Sequence, residues 1–143
     1  MPYTFLEEIA TADVAFEAWG NTREEMFIAG AEALLGTMVA KPAEVASREE
    51  LVIRLEEAEL DLLLFSFLQE LVFYKDARGL LLHAARVCID EHEGGFGLEG
   101  VVRGEKIDAG RHLPLVDVKA VTLHRLRVVL RDALWTATVV LDV

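Results

Sequence analysis

The sequence predicts an α+β fold, a two-layer single domain in which two helices pack on a largely antiparallel sheet. Three observations lead there. Two segments, Met26 to Met38 and Leu60 to Val72, repeat apolar residues at helical spacing; short alternating segments lie before, between and after them; and two pairs of those segments are joined by turn residues, Gly94-Gly95 and Arg131-Asp132. Helices and hairpins that each bury one face are satisfied by two packed layers. At 143 residues the chain, 1–143, reads as one domain, and that size buries enough surface to need no covalent staple.

In chain order, Tyr3 to Ile9 and Val14 to Trp19 read as strands around the corner Ala10-Thr11-Ala12-Asp13. Gly20-Asn21 turns the chain, and Thr22 with Glu25 three residues on forms a capping box, so a helix is expected from Arg23 to Met38. Its stripe is Met26, Phe27, Gly30, Ala31, Leu34, Leu35 and Met38. Lys41-Pro42 ends that region. Glu50 to Glu57 alternates Leu51, Ile53 and Leu55 with charged neighbours, as a half-exposed strand does. The second helix, Glu59 to Tyr74, is apolar on nearly every side and is expected to be the more buried of the two. After a turn at Asp76 to Gly79, Leu80 to Glu91 and Gly97 to Val102 form a hairpin. Gly104 to Pro114 reads as a polar loop. Asp117 to Lys119, Leu123 to Leu130 and Trp135 to Asp142 complete the strands.

Composition narrows the function classes. The formal net charge is −11, and the first hundred residues carry 20 acidic and 7 basic side chains against 5 and 7 in the remainder. Phosphate contacts need a basic surface, so tight nucleic-acid binding is not expected; a protein partner or cations suit an acidic body better. The single cysteine, Cys88, excludes an internal disulfide, fits a reducing cytoplasm, and is expected to be a buried thiol within the run Ala84 to Ile89. The apolar run Leu60 to Tyr74 contains Asp61, Ser66, Gln69 and Glu70 and falls short of a membrane span. The first residues carry no basic segment of the signal-peptide kind. The reading is a cytoplasmic protein.

No nucleophile, base and orienting group are legible together, and the histidines His83, His92, His112 and His124 have no zinc-ligand spacing. Gly94-Gly95-Phe96-Gly97 lacks a following P-loop lysine and reads as a turn. Two carboxylates stand out because their neighbours are apolar: Asp13 between Ala12 and Val14, and Asp142 after Val139-Val140-Leu141 with only Val143 beyond. An ionised carboxylate against such runs needs a donor, a basic partner or a cation. Spacing alone leaves two readings, solvated strand ends or oxygen ligands for a hard cation.

These residues also carry a resemblance. Thr11-Ala12-Asp13, Leu62-Leu63 through Phe67-Leu68-Gln69-Glu70-Leu71, Gly104-Glu105, the run Asp117-Val118-Lys119-Ala120-Val121-Thr122-Leu123-His124 and the ending Val140-Leu141-Asp142-Val143 occur in one order. Over essentially its whole length the chain resembles the archease family. The resemblance implies an accessory protein, not itself an enzyme, that activates an RtcB-type RNA ligase in tRNA splicing and RNA repair, promoting metal- and GTP-dependent guanylylation of the ligase and multiple turnover. It implies a divalent-cation site, Ca²⁺ in structures with Mg²⁺ or Mn²⁺ as cellular alternatives, formed by Asp13, Asp142 and the carboxylate of Val143. Ala10 stands where the family commonly has His, and Phe67 and Gln69 stand where many members have Trp and Asn. Lys119 and His124, from the family run, and Asp61, from the acidic start of the second helix, are the candidate partner-facing residues. The competing readings are a chaperone-like modulator of RNA-modifying enzymes in which both aspartates are structural, and a free-standing metal-dependent hydrolase.

Overall fold

The computed structural model describes residues 2–6 and 13–143. Ala10, Thr11, Ala12 and the last three residues of the first expected strand lie outside the described residues. The elements run β1 (Tyr3–Leu6), β2 (Asp13–Gly20), α1 (Arg23–Met38), a 3₁₀ turn (Pro42–Glu44), β3 (Glu49–Glu57), α2 (Leu60–Arg78), β4 (Leu80–His92), β5 (Gly95–Lys106), α3 (Ala109–His112), β6 (Ala120–Val121), β7 (Arg127–Arg131) and β8 (Leu134–Asp142). The fold is α+β, with its antiparallel strands divided over two sheets. One has the order β1-β2-β8-β6, with β7 also paired to β8; the other is β3-β5-β4.

The division into two sheets follows from α1, which packs against both β2 and β4. Thr22 Oγ1 accepts from Glu25 N–H at 3.1 Å, and Glu25 Oε2 accepts from Thr22 N–H at 3.2 Å, so the expected capping box starts the helix. Leu64 and Leu68 of α2 lie against α1 at Gly30. With partners on three sides, ten residues of α1 are buried. The sequence points to α2 as the more buried helix, yet only six of its residues are buried. Its surplus apolar side chains are less covered, Phe65 being half-buried against the core and Phe73 exposed.

Helix α2 runs past the expected Tyr74 because nothing in Lys75-Asp76-Ala77-Arg78 breaks a helix. It stops at Gly79, whose φ of 65° makes a left-handed cap. The β4–β5 hairpin turns between His92 and Gly95. A bulge between Ala84 and Arg86 inserts one extra residue, which reverses the inward and outward alternation beyond it. Val87 therefore points inward and Cys88 is exposed, not buried as its apolar neighbours suggest.

Three further expectations change. Gly104 to Pro114 is not a plain loop: β5 extends to Lys106, and α3 follows. Its polar residues, Glu105 and His112, are buried because they satisfy one another. The expected strand Asp117 to Lys119 is not one, and β6 forms just after it; the expected strand Leu123 to Leu130 begins only at Arg127. After β6 the chain turns, with Leu126 N–H donating to Leu123 O at 3.2 Å and Arg125 at φ 55°, before β7 resumes pairing with β8. No described helix is long and apolar enough to cross a membrane.

Candidate functional site

Strands β2 and β8 pair antiparallel with Asp13 opposite Asp142, Val14 opposite Leu141 and Ala15 opposite Val140. Residues directly opposite in such a ladder project from the same side of the sheet, with Cβ atoms ~4.5–5.5 Å apart. The two carboxylates singled out in the sequence are thus cross-strand neighbours, both half-buried at the end of the ladder. Strand β8 continues the row on its other edge, where Ala120 lies opposite Asp142 and Lys119 N–H donates to Asp142 O at 2.8 Å. Val143 is half-buried against the core.

This donor set is made of oxygen. Among the described residues no three His, Cys, Asp or Glu side chains gather into a metal cage. Two facing carboxylates fit a hard cation that completes its shell with water, and do not fit zinc. Without a counter-charge, like charges directly opposite in a ladder repel.

The row is positioned from α2. Gln69 Oε1 accepts from Val121 N–H at 2.9 Å, which pins β6 beside β8. Lys75, in the last turn of the helix and almost covered, donates to Val118 O at 2.7 Å and to the carboxylates of Asp117 and Asp76. Burial pushes its ammonium pKa down, but Asp117 and Asp76 together hold it above the ordinary lysine value. Sequence reasoning missed both anchors. A base directly after the apolar stripe of the second helix was the signal available for Lys75.

The candidate partner-facing residues lie apart from one another. Lys119 joins the row through its main chain while its side chain is exposed. His124 is exposed on the turn that interrupts β6 and β7, so the two do not share a continuous strand. Asp61 sits in the first turn of α2, where its carboxylate accepts from Leu62 N–H at 2.7 Å and complements the positive helix end.

A second polar centre was missed entirely. Glu105, 4% exposed, accepts from Arg111 at 2.6 Å, Ala46 N–H at 2.7 Å, Arg48 at 3.0 Å and His112 Nε2 at 3.0 Å. His112 Nδ1 accepts from Asp108 N–H at 2.9 Å, which leaves Nε2 as the donor to Glu105. The hydrogen bonds from Arg111 and from Ala46 N–H outweigh burial and hold the Glu105 carboxyl well below the usual carboxylate range. Arg111 also donates to Glu44 O at 2.6 Å, so this centre ties α3 to the 3₁₀ turn.

The sequence model of the Archease protein family (MTH1598/TM1083) matches residues 3–143. The chain belongs to the archease family. Protein archease of Pyrococcus furiosus is 37% identical over 134 residues, 93% of this chain and 94% of its own. Protein archease of Methanopyrus kandleri is 36% identical over 142 residues, 99% of each chain. The solution structure of Methanobacterium thermoautotrophicum protein 1598 superposes with a TM-score of 0.85 at 33% identity, covering 99% of both chains. The crystal structure of an archease, possible chaperone, from Thermotoga maritima shares the fold, with a TM-score of 0.64 at 20% identity over 94% of this chain and 93% of its own.

Proposed function

We propose that this protein is a cytoplasmic accessory activator of an RtcB-type RNA ligase, promoting metal- and GTP-dependent guanylylation and multiple turnover of that enzyme in tRNA splicing and RNA repair. Asp13, Asp142 and a main-chain oxygen of Val143 hold its divalent cation, Ca²⁺, Mg²⁺ or Mn²⁺. The observation that carries the reading is the register that sets Asp13 opposite Asp142. Family membership supports it, and the Thermotoga archease, a possible chaperone, is consistent with a role exercised on another protein.

The chain's own residues do the positioning. Central strand β8, held between β2 and β6, fixes Asp142 from both sides, and the Lys119 amide orients its main chain. Held by these residues, a divalent cation would supply positive charge that attracts phosphate oxygens. The net charge of −11 disfavours an RNA-binding role for the protein itself.

The test is a guanylylation assay of the cognate ligase with GTP and Mn²⁺, alongside calorimetric titration of this protein with Ca²⁺ and Mg²⁺. Asp13→Ala and Asp142→Ala are expected to lose cation binding and activation while keeping the circular dichroism of the parent. A double variant that activates the ligase as well as the parent overturns the reading. Activation that persists after cation binding is lost favours a chaperone-like interaction module instead.

A further inference from the structure

The solvent side of α1 is the floor of a trough. Pro2 and Tyr3, at the start of β1, border it; the ends of β2 and β8 close the larger part, and the 3₁₀ turn and His83 of β4 close the smaller. Two cavities lie along it, of about 470 and 210 Å³, and Glu32 lines both. The floor is apolar between acids: Ile28 is half-buried, Ala29 and Leu35 are buried, and Glu25 and Glu32 are exposed.

Three observations say what fits there. First, neither cavity is lined by a lysine or an arginine. Glu25 is committed to the amides of Asn21 and Thr22, whereas Glu32 forms no ion pair among the described residues. His83 is also committed, with Nε2 donating to Val45 O at 2.9 Å. Second, β1 is an edge strand. Among the described residues it pairs only with β2, and no described strand lies along its outer edge. Third, Tyr3 and Phe5 lie opposite Ala18 and Phe16 and so project on the α1 side of the sheet. Phe5 is 46% exposed beside the Tyr3 ring.

We propose that this trough docks an extended protein segment that adds to the open edge of β1, with alternate aliphatic side chains over Ile28 and Leu35 and a lysine or arginine at Glu32. Strand addition supplies main-chain hydrogen bonds, and the pockets select every second side chain. The acidic, base-free lining selects the sign of the charge. The site lies along α1 and does not depend on the cation reading of Asp13 and Asp142.

The test uses the protein alone and a fluorescein-labelled, acetylated hexapeptide with valine at positions 1 and 5, arginine at position 3 and serine elsewhere, so that one face carries valine, arginine and valine in turn. Anisotropy is expected to saturate, and Glu32→Lys is expected to weaken binding about ten-fold, as loss of a paired charge with added repulsion does. Glu56→Lys, which changes net charge equally on β3, is expected to weaken it less than about two-fold. The peptide with proline at its centre, which removes a main-chain donor, is expected to bind more weakly than the parent. Ala43→Trp, which fills the smaller cavity, provides a second variant should Glu32→Lys perturb the fold. No saturable binding, equal losses for Glu32→Lys and Glu56→Lys, or amide shifts on β3 in place of β1 and α1, would overturn the proposal.

Discussion

His112 Nε2 lies 3.0 Å from Glu105 Oε2 with both side chains closed off from solvent, the imidazole at 0% exposure. This contact and the Arg111 pair join α3 to the end of β5, in a stretch whose polarity reads as loop. His112→Ala removes one donor from a covered carboxylate and opens a cavity beneath α3. Thermal unfolding is expected to fall by about 5–10 °C, and Arg111→Ala should do likewise. Scanning calorimetry at neutral pH checks both.

The same carboxyl sets an acid limit. Its pKa is depressed in the folded protein from the ordinary value of 4.5, so its contribution is complete above that value and is lost as pH falls below it. Stability is expected to decline with pH below about 4.5, more shallowly in Glu105→Gln than in the parent. Urea unfolding from pH 6 to pH 3 measures the two slopes, and equal slopes would remove Glu105 from the account.

Asp13 and Asp142 give a cation-dependent signature. In chelator, Asp142→Asn relieves a like-charge pair and is expected to leave stability unchanged or raise it by up to ~1 kcal/mol. Adding Ca²⁺ is expected to raise the Tm of the parent and not that of the variant, since a ligand that binds only the folded state stabilises by mass action. Thermal shift with and without Ca²⁺ reads both effects.

Lys75 anchors the segment that leads into β6. Lys75→Met keeps the covered stem and removes the donors to Val118 O and Asp117, and is expected to cost about 1–2 kcal/mol. Amide exchange at Ala120 and Val121 should accelerate more than exchange on β3. A uniform increase over the whole chain would mean that the lysine supports the fold at large, not this segment.

At the β7–β8 turn, Asp132 and Ala133 both have positive φ, 53° and 63°. A side chain at Ala133 is strained there, and Ala133→Gly is expected to stabilise the protein by about 0.5–1 kcal/mol. Chemical denaturation with an unchanged m-value would confirm it.

Much of this architecture is visible in local sequence. The capping box at Thr22 and Glu25, the α1 stripe, and the turns at Gly94 and Asp132 all act over a few residues. What local pattern does not contain is pairing at a distance. Nothing in the alternation of β2 or β4 says that they belong to different sheets, and the α1 stripe does not reveal that its helix touches both. The bulge after Ala84 is likewise silent in sequence, which is why Cys88 defies its apolar neighbourhood. For the candidate site, two carboxylates against apolar runs are legible, and the resemblance to archease draws attention to the same positions. Their facing arrangement is a property of register. Glu105 and His112 were illegible because polarity marks solvent or mutual satisfaction equally well, and only the partner decides between them.

The pairing of β2 with β8 also fixes an order of assembly. Strands β3, β4 and β5 with α2 form a contiguous stretch that can close as it emerges from the ribosome. Strand β2 can pair early with β1 and pack on α1, but its other edge stays open. Its inward residues Phe16 and Ala18 wait for Val139 and Ala137, which are made more than a hundred residues later. Closure over so long a loop is slow and leaves apolar surface uncovered in the meantime. Because Asp142 lies at the far end of β8, the facing carboxylates come into existence only once that strand has been made and docked, so a chain that has not yet reached Asp142 cannot present them.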